Sequence, residues 1–243
     1  MPSRRPGNRA TICRIQLNGC PAIRTVFHPV LSILAAALLL GTPCRAFESP
    51  LTEKTIREAY FLGQHHDAST QSALKPYIHN LAAPQSGPHI AEIRLLTPYA
   101  QVIDNSNAQS AGYSAQQAAA DYHSHADTIV VRFQIQFTPT YGQIQSARDY
   151  ASAAARKGLT LRPEDFWQSF KVGLSQKDQW LDPLSHDGEP IYVRNAEGGS
   201  ALDGAYIYLT FDAYEVSSDP VDAEIFTPDG QHVTTTFDLS VLR

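Results

Sequence analysis

Beyond residue 44 the chain contains no cysteine, because its three, Cys13, Cys20 and Cys44, all precede the bulk of the sequence. Disulfides, thiolate nucleophiles and cysteine-ligated zinc are thereby excluded from residues 47–243, whose stability has to come from a packed core. Positive charge is scarce there too. Residues 47–243 hold 13 Lys and Arg against 24 Asp and Glu, a net charge of −11, which offers no electrostatic footprint for nucleic acid or anionic lipid. Long apolar runs are also missing. The most extended, VLSILAAALLLG from Val30 to Gly41, has 12 residues, whereas a membrane-spanning helix needs about 20. The chain has no GxSxG elbow, no phosphate-cradling glycine loop and no HExxH helix, so the local signatures of the commonest hydrolases and nucleotide enzymes are lacking. Internal repeats and low-complexity tracts are lacking as well.

What is present at the start is a basic, acid-free lead. Residues 1–46 carry six arginines, Arg4, Arg5, Arg9, Arg14, Arg24 and Arg45, and no Asp or Glu. A positive lead, a short apolar core and the small residues Cys44 and Ala46 are the three parts of a secretory signal peptide. Residues 1–46 are therefore expected to direct export to the periplasm or exterior, with cleavage leaving Phe47 as the mature N-terminus. The Arg4–Arg5 pair lies too far from the apolar core to read as a twin-arginine signal, and Pro43 before Cys44 speaks against lipidation. The 197 residues that follow are enough for a sizeable core, since chains of 150 residues or more bury about 70% of their unfolded surface.

The expected organisation is a signal peptide over 1–46, an N-terminal helical pair over 47–88 and a β domain over 89–243 packed with it as a single unit. In SPLTEKTIREAYFLG, Ser49 or Thr52 can act as N-cap. Ile56, Ala59, Tyr60 and Gly63 recur there at the spacing of one buried helix face, and Gly63 reads as the stop. A second helix in DASTQSALKPYIHNLAAP starts at Asp67 or Ser69, with Leu74, Tyr77, Ile78 and Leu81 on one stripe. Pro76 must kink or divide it, because an interior proline removes a hydrogen bond and clashes with the preceding turn.

From residue 89 the period changes to two. IAEIRLLTPYAQVI opens as a strand that Pro98 interrupts, as at an edge or a bulge. DTIVVRFQIQFTPT places Ile129, Val131, Phe133, Ile135 and Phe137 on one face and Thr128, Arg132, Gln134, Gln136 and Thr138 on the other, the alternation of an antiparallel sheet with one wet side. FWQSFKVGL, PIYVRN, GAYIYLTFDAY, VDAEIFT and QHVTTTFDLSVL repeat the pattern, and TPDGQ joins the last two as a hairpin turn. Two helical insertions are expected, YSAQQAAADYHSH with a Ser114/Gln117 capping box and SARDYASAAARKG stopped by Gly158. These elements predict a mostly β protein with helices (α+β). It is expected to be an antiparallel β-sandwich of immunoglobulin-like character, preceded by the N-terminal helical pair and carrying the two short insertions. A single twisted sheet with helices on one face is the rival.

Candidate chemistry is thin. His65, His66 and Asp67 in GQHHDAST fall where one helix ends and the next begins, and each has a capping role open to it. His123 and His125 share the i, i+2 spacing of a strand face, but on a helix those positions diverge by about 200°. His186 and Asp187 in PLSHDGEP read as a loop pair beside Gly188, and His79, His89 and His232 stand alone. The acids Asp212, Glu215, Asp219, Asp222 and Glu224 read as a solvated loop; calcium would want six to eight oxygen ligands and, in an EF-hand, a central glycine. RNAEGGSALDGA reads as a hairpin connection. Tyr206, Tyr208 and Tyr214 suit either packing within the fold, the preferred reading, or a face that binds sugar or peptide. No catalytic, cofactor-binding or metal-ligating residue is assigned, and no cofactor is expected.

The phrases TIREAYFLGQ, LLTPYAQV, GEPIYV and EIFTPDGQHVTTTFDL resemble those of a group of uncharacterised exported bacterial proteins, over most of the mature chain. The resemblance implies export and a single domain, and it brings no activity or site. Two functions are open. One is a non-enzymatic binding or scaffold β-sandwich of the envelope or exterior, with a protein or glycan partner, no nucleic acid and no membrane anchor after signal cleavage. The alternative is a hydrolase or metal-dependent enzyme with a dispersed site drawing on His65, His66, His123, His186 and nearby acids.

Overall fold

In a computed structural model that describes residues 47–109, 112–141, 162–194 and 200–243, the first element starts at Thr52, whose hydroxyl accepts from the Thr55 amide at 3.3 Å. Helix α1, Glu53–Gln64, buries Thr55, Ile56, Ala59 and Gly63. Gly63 does not stop it. A Cβ at Gly63 would lie 2.5 Å from the Ile103 carbonyl oxygen and 2.6 Å from Ser106 Cβ, so the glycine is what lets α1 cross helix α3, Pro98–Ala108, at contact distance. The end of α1 falls to His65 as C-cap, and His66 then takes a left-handed φ of 49°. Asp67 caps helix α2, Ala68–Leu74, accepting from the Ser69 amide at 2.8 Å. Pro76 divides the segment as expected, in a 3-10 turn over Lys75–Tyr77. The chain then becomes strand β1, Ile78–Asn80. The sheet thus begins inside the stretch read as wholly helical.

Pro98 corrects a second expectation. It does not interrupt a strand but opens α3, with the Thr97 hydroxyl accepting from the Ala100 amide. Proline suits a helix's first turn because its missing N–H would be unpaired there anyway and its φ is already helical. Strand β2, His89–Leu96, therefore ends before it, and the register shift in β2 lies between Ile90 and Glu92. Helix α4, Ala115–His123, carries the Ser114/Gln117 capping box in both directions, at 3.2 and 2.8 Å. SARDYASAAARKG and the leader 1–46 lie outside the described residues.

The remaining strands are β3 (Thr128–Gln136), β4 (Lys171–Gln176), β5 (Gln179–Trp180), β6 (Ser185–Arg194), β7 (Ser200–Asp212), β8 (Val221–Phe226) and β9 (His232–Phe237). They form two antiparallel sheets, ordered β1-β2-β3-β7-β6 and β5-β4-β8-β9. With four α-helices among the described residues, the protein is mixed α+β. Ile93, Ile129, Val131, Phe133, Ile207 and Phe211 from the first sheet share one core with Leu174, Ile225 and Phe237 from the second and with Ile56 and Ile103 from the helices. Arg243 ties elements together: its backbone amide donates to the Tyr77 hydroxyl at 3.0 Å, its backbone oxygen accepts from Thr97 at 2.5 Å, and its guanidinium reaches Glu58 at 2.7 Å.

The TPDGQ hairpin forms as read, with the Thr227 amide donating to the Gln231 carbonyl at 2.9 Å and Gly230 at φ 90°. His186 and Asp187 are not in a loop. They lie on β6 opposite Leu209 and Tyr208. Gly188, which suggested a turn, sits under the indole of Trp167, where a Cβ would come within 2.2 Å. Trp180 covers Gly173 of β4 in the same way, at 2.1 Å. Both tryptophans of the chain thus supply a strand glycine with the packing surface it lacks.

Candidate ligand-binding pocket

Helices α3 and α4 lean over one end of β3 and β7 and leave a cavity of about 470 Å³ between them. Its helical walls are Pro98, Gln101, Val102 and Asn105 from α3 and Ala118, Asp121 and Tyr122 from α4. Tyr113, His125, Ala126 and Asp127 close it from the connections, and Thr128, Val130 and Thr210 form its floor. Buried Val102 and Ala118 hold the helices in place. Gln101 fixes the angle of α3 by donating from Nε2 to the carbonyls of Leu96 at 3.1 Å and Thr128 at 2.6 Å.

Two acid–tyrosine pairs organise the polar side. The Tyr122 hydroxyl donates to Asp127 Oδ1 at 2.5 Å and accepts from the Leu51 amide at 2.8 Å, while the Ser49 hydroxyl donates to Asp127 Oδ2 at 2.7 Å. The Tyr113 hydroxyl donates to Asp121 Oδ2 at 2.8 Å. Burial, then the hydrogen bond to Asp121 and its charge, pushes the Tyr113 hydroxyl up to about 12. Tyr122 is raised for the same reasons, burial first and the Asp127 bond next. Both hydroxyls therefore remain neutral donors at physiological pH. His125 Nδ1 lies 2.7 Å from Ser124 Oγ and 3.0 Å from the Asp121 carbonyl oxygen.

The histidines considered from the sequence do not meet. His66 Nδ1 lies 3.2 Å from Asn107 Oδ1, and His65 stays beside Asp67 at 3.9 Å. His123 Nε2 is 2.7 Å from Glu53, at the opposite end of α1, a helix of 12 residues and hence about 18 Å long. His186 packs edge-on against Trp167 on β6. His65, His66, His123 and His186 therefore build no common site. His232 Nε2 contacts both Glu224 at 2.9 Å and Thr234 at 3.1 Å. Sharing one ring nitrogen, they cannot work as an acid–base relay, which needs the two nitrogens on different partners. The acids of the 212–224 stretch go to separate partners. Asp212 accepts from the Tyr214 amide, Asp219 pairs with Lys177, Asp222 accepts from Thr236 and Glu224 from Ser175. Among the described residues no group of three or more His, Cys, Asp or Glu is placed to hold a metal ion.

Tyr206 and Tyr208 sit half-buried with ring centroids 6.1 Å apart, and the Arg132 guanidinium lies 4.9 Å from the Tyr206 centroid. They pack over a network in which Glu92 accepts from Arg94 at 3.1 Å and from Arg132 at 2.9 Å, and Arg94 also donates to Asp104 of α3 at 2.8 Å. Tyr214 is exposed. The pocket residues Tyr113, Asp121, Tyr122 and Asp127 were missed by sequence reasoning. The available signal was two acids flanking the end of a well-capped helix, each with a tyrosine nearby in the chain, and no periodicity rule marks that pattern.

No family model matches the chain, and no curated protein matches it. The resemblance to exported bacterial proteins rests on the quoted phrases alone.

Proposed function

We propose that the protein is an exported, non-enzymatic binding module of the cell envelope or exterior, an antiparallel β-sandwich of immunoglobulin-like character that holds its ligand in the pocket between α3, α4 and β3. The two antiparallel sheets and their shared core support the sandwich reading. The basic lead, apolar core and small residues before Phe47 support export, and among the described residues no helix is long and apolar enough to cross a membrane.

The observation that carries the binding role is the pocket itself. Its volume of about 470 Å³ falls in the range of small-molecule sites, about 300 to 1,000 Å³. Its carboxylates accept hydrogen bonds from tyrosine and serine hydroxyls and act as fixed charged points on a wall that mixes apolar residues such as Val102 and Val130 with polar ones such as Gln101, Asn105 and His125. Such an arrangement can orient a guest.

Export is tested by fractionating cells that produce the full chain and sequencing the recovered N-terminus, expected at Phe47. Binding is tested by a thermal-shift panel of sugars, amino acids, amines and carboxylates on the purified protein and on Asn105→Trp, where an exposed rim position would plug the mouth. The expected result is a class of compound that stabilises the wild type, leaves Asn105→Trp unmoved and is recovered chemically unchanged. Turnover of that compound, or a panel to which the wild type is indifferent, would overturn the proposal.

A further inference from the structure

Resting on that reading of the pocket, its walls specify the charge of the guest. Of the residues that line it, Asp121 and Asp127 are acids, Tyr113 and Tyr122 carry phenol rings, His125 is the single base, and none is Lys or Arg. The chain around it is acidic as well, with a net charge of −11 over residues 47–243. An anion entering the cavity would lose water against two carboxylates with the exposed His125 imidazole as the one base in the lining, which is unfavourable in a partly enclosed site. A cation meets the opposite situation. Each oxygen of Asp127 accepts one hydroxyl hydrogen, from Tyr122 and from Ser49, and a carboxylate oxygen has two lone pairs. Counting the described residues, one acceptor position on each oxygen is left for a guest, and the hydroxyls hold the carboxylate still.

The same walls decide between a metal ion and an organic cation. Calcium wants six to eight oxygens in its shell and magnesium an octahedron of them. This cavity offers two carboxylates beside the neutral donors of residues such as Gln101 and Asn105 and the apolar surfaces of Val102 and Val130. Among the described residues no three His, Cys, Asp or Glu converge to hold an ion, and the volume of about 470 Å³ is far larger than a bare ion requires. Aromatic rings and apolar walls suit a positive charge carried on carbon, because the ring face attracts the cation while the hydrocarbon part is buried. We infer that the pocket binds a small organic ammonium ion, its cationic nitrogen held between the Asp121 and Asp127 carboxylates and its carbon skeleton against the tyrosine rings and the Val102–Val130 wall.

The test is calorimetric titration of the purified protein with choline, ethanolamine and putrescine, beside 3,3-dimethylbutan-1-ol, the neutral isostere of choline. Binding of at least one ammonium compound is expected. For choline, the isostere should bind at least tenfold more weakly, and affinity should fall between 20 and 300 mM salt as screening shortens. Asp127→Asn removes a carboxylate that also anchors Tyr122 and Ser49, so the exposed Asp121→Asn is the companion variant. It is expected to lower ammonium affinity at least fivefold and leave the isostere unchanged. If the isostere or a panel carboxylate binds as tightly as the ammonium compounds, the cation assignment falls and the pocket reading stands. If no ammonium compound binds, the assignment also falls. The wider panel with Asn105→Trp then shows whether the pocket reading falls with it.

Discussion

Strands β3 and β9 both alternate inward and outward residues, β9 with Thr235 among its inward ones, and their outer faces meet different fates. In β3 the inward Ile129, Val131, Phe133 and Ile135 are fully buried, and even the outward Arg132 side chain keeps only 18% of its exposure, held by Glu92 and the Tyr206 ring. In β9 the inward Thr235 and Phe237 are buried as well, yet outward His232, Thr234 and Thr236 stand in solvent. The cause is position in the sheet. β3 has β2 and β7 on its two sides, so its outward side chains find cross-strand partners in both directions, whereas β9 is an edge that pairs with β8 alone. Alternation in a sequence therefore tells which residues face inward. It does not tell whether the outer face is wet.

If the inner faces are equivalent, Phe133→Ala and Phe237→Ala should each cost about 3–5 kcal/mol in denaturant unfolding. A cost below about 1 kcal/mol for Phe237→Ala would show that the four-stranded sheet does not share the core. The outer faces should differ. Glu92→Ala leaves the largely buried Arg132 without this carboxylate and Arg94 with Asp104 alone. It is expected to cost about 2–3 kcal/mol, below the range of about 3–5 kcal/mol for a fully broken buried pair because Arg94 keeps a partner.

Gly63→Ala approaches the same network from behind, because the added Cβ pushes on α3 at Ile103 and Ser106, on either side of Asp104. It should destabilise by about 1–2 kcal/mol through overpacking, although alanine otherwise favours a helix interior. The pH response of the Glu92 network is a finer probe. Burial by itself would raise the Glu92 carboxyl, but hydrogen bonds from Arg94 and Arg132 and their charges outweigh it and hold the group below its ordinary 4.5. A carboxyl depressed on folding adds stability above the unfolded value and loses it as pH falls through the lower folded one. Unfolding measured from pH 6 downward should thus show a loss below about 4.5 in the wild type that is reduced in Glu92→Gln. The smallest effect is expected at the wet face: Thr236→Ala should stay within about 0.5 kcal/mol despite its bond to Asp222.

What was legible in the sequence was local. Asp67 and Ser114 could be read as caps because each bonds an amide two or three residues ahead, and the TPDGQ turn closes within five residues. Pro98 and Gly63 were misread because one residue type serves two purposes. A proline can interrupt a strand or open a helix, and a glycine can end a helix or admit a neighbouring one, and only the neighbour decides. His186 followed the same logic, since Asp187–Gly188 mimics a turn until Trp167 is seen lying over the glycine.

The pocket was the least legible feature. Asp127 meets Ser49 across 78 residues of sequence, and Tyr122 meets Leu51 across 71. The sequence by itself determined the caps, the inward faces of the strands, the C-terminal hairpin and the acidity of the chain, all consequences of backbone geometry and composition within a few residues. Only the tertiary structure decided which outward faces are covered, where α3 crosses α1 and which acids and tyrosines surround the cavity, because those depend on groups far apart in the chain that the shared core brings within hydrogen-bond distance.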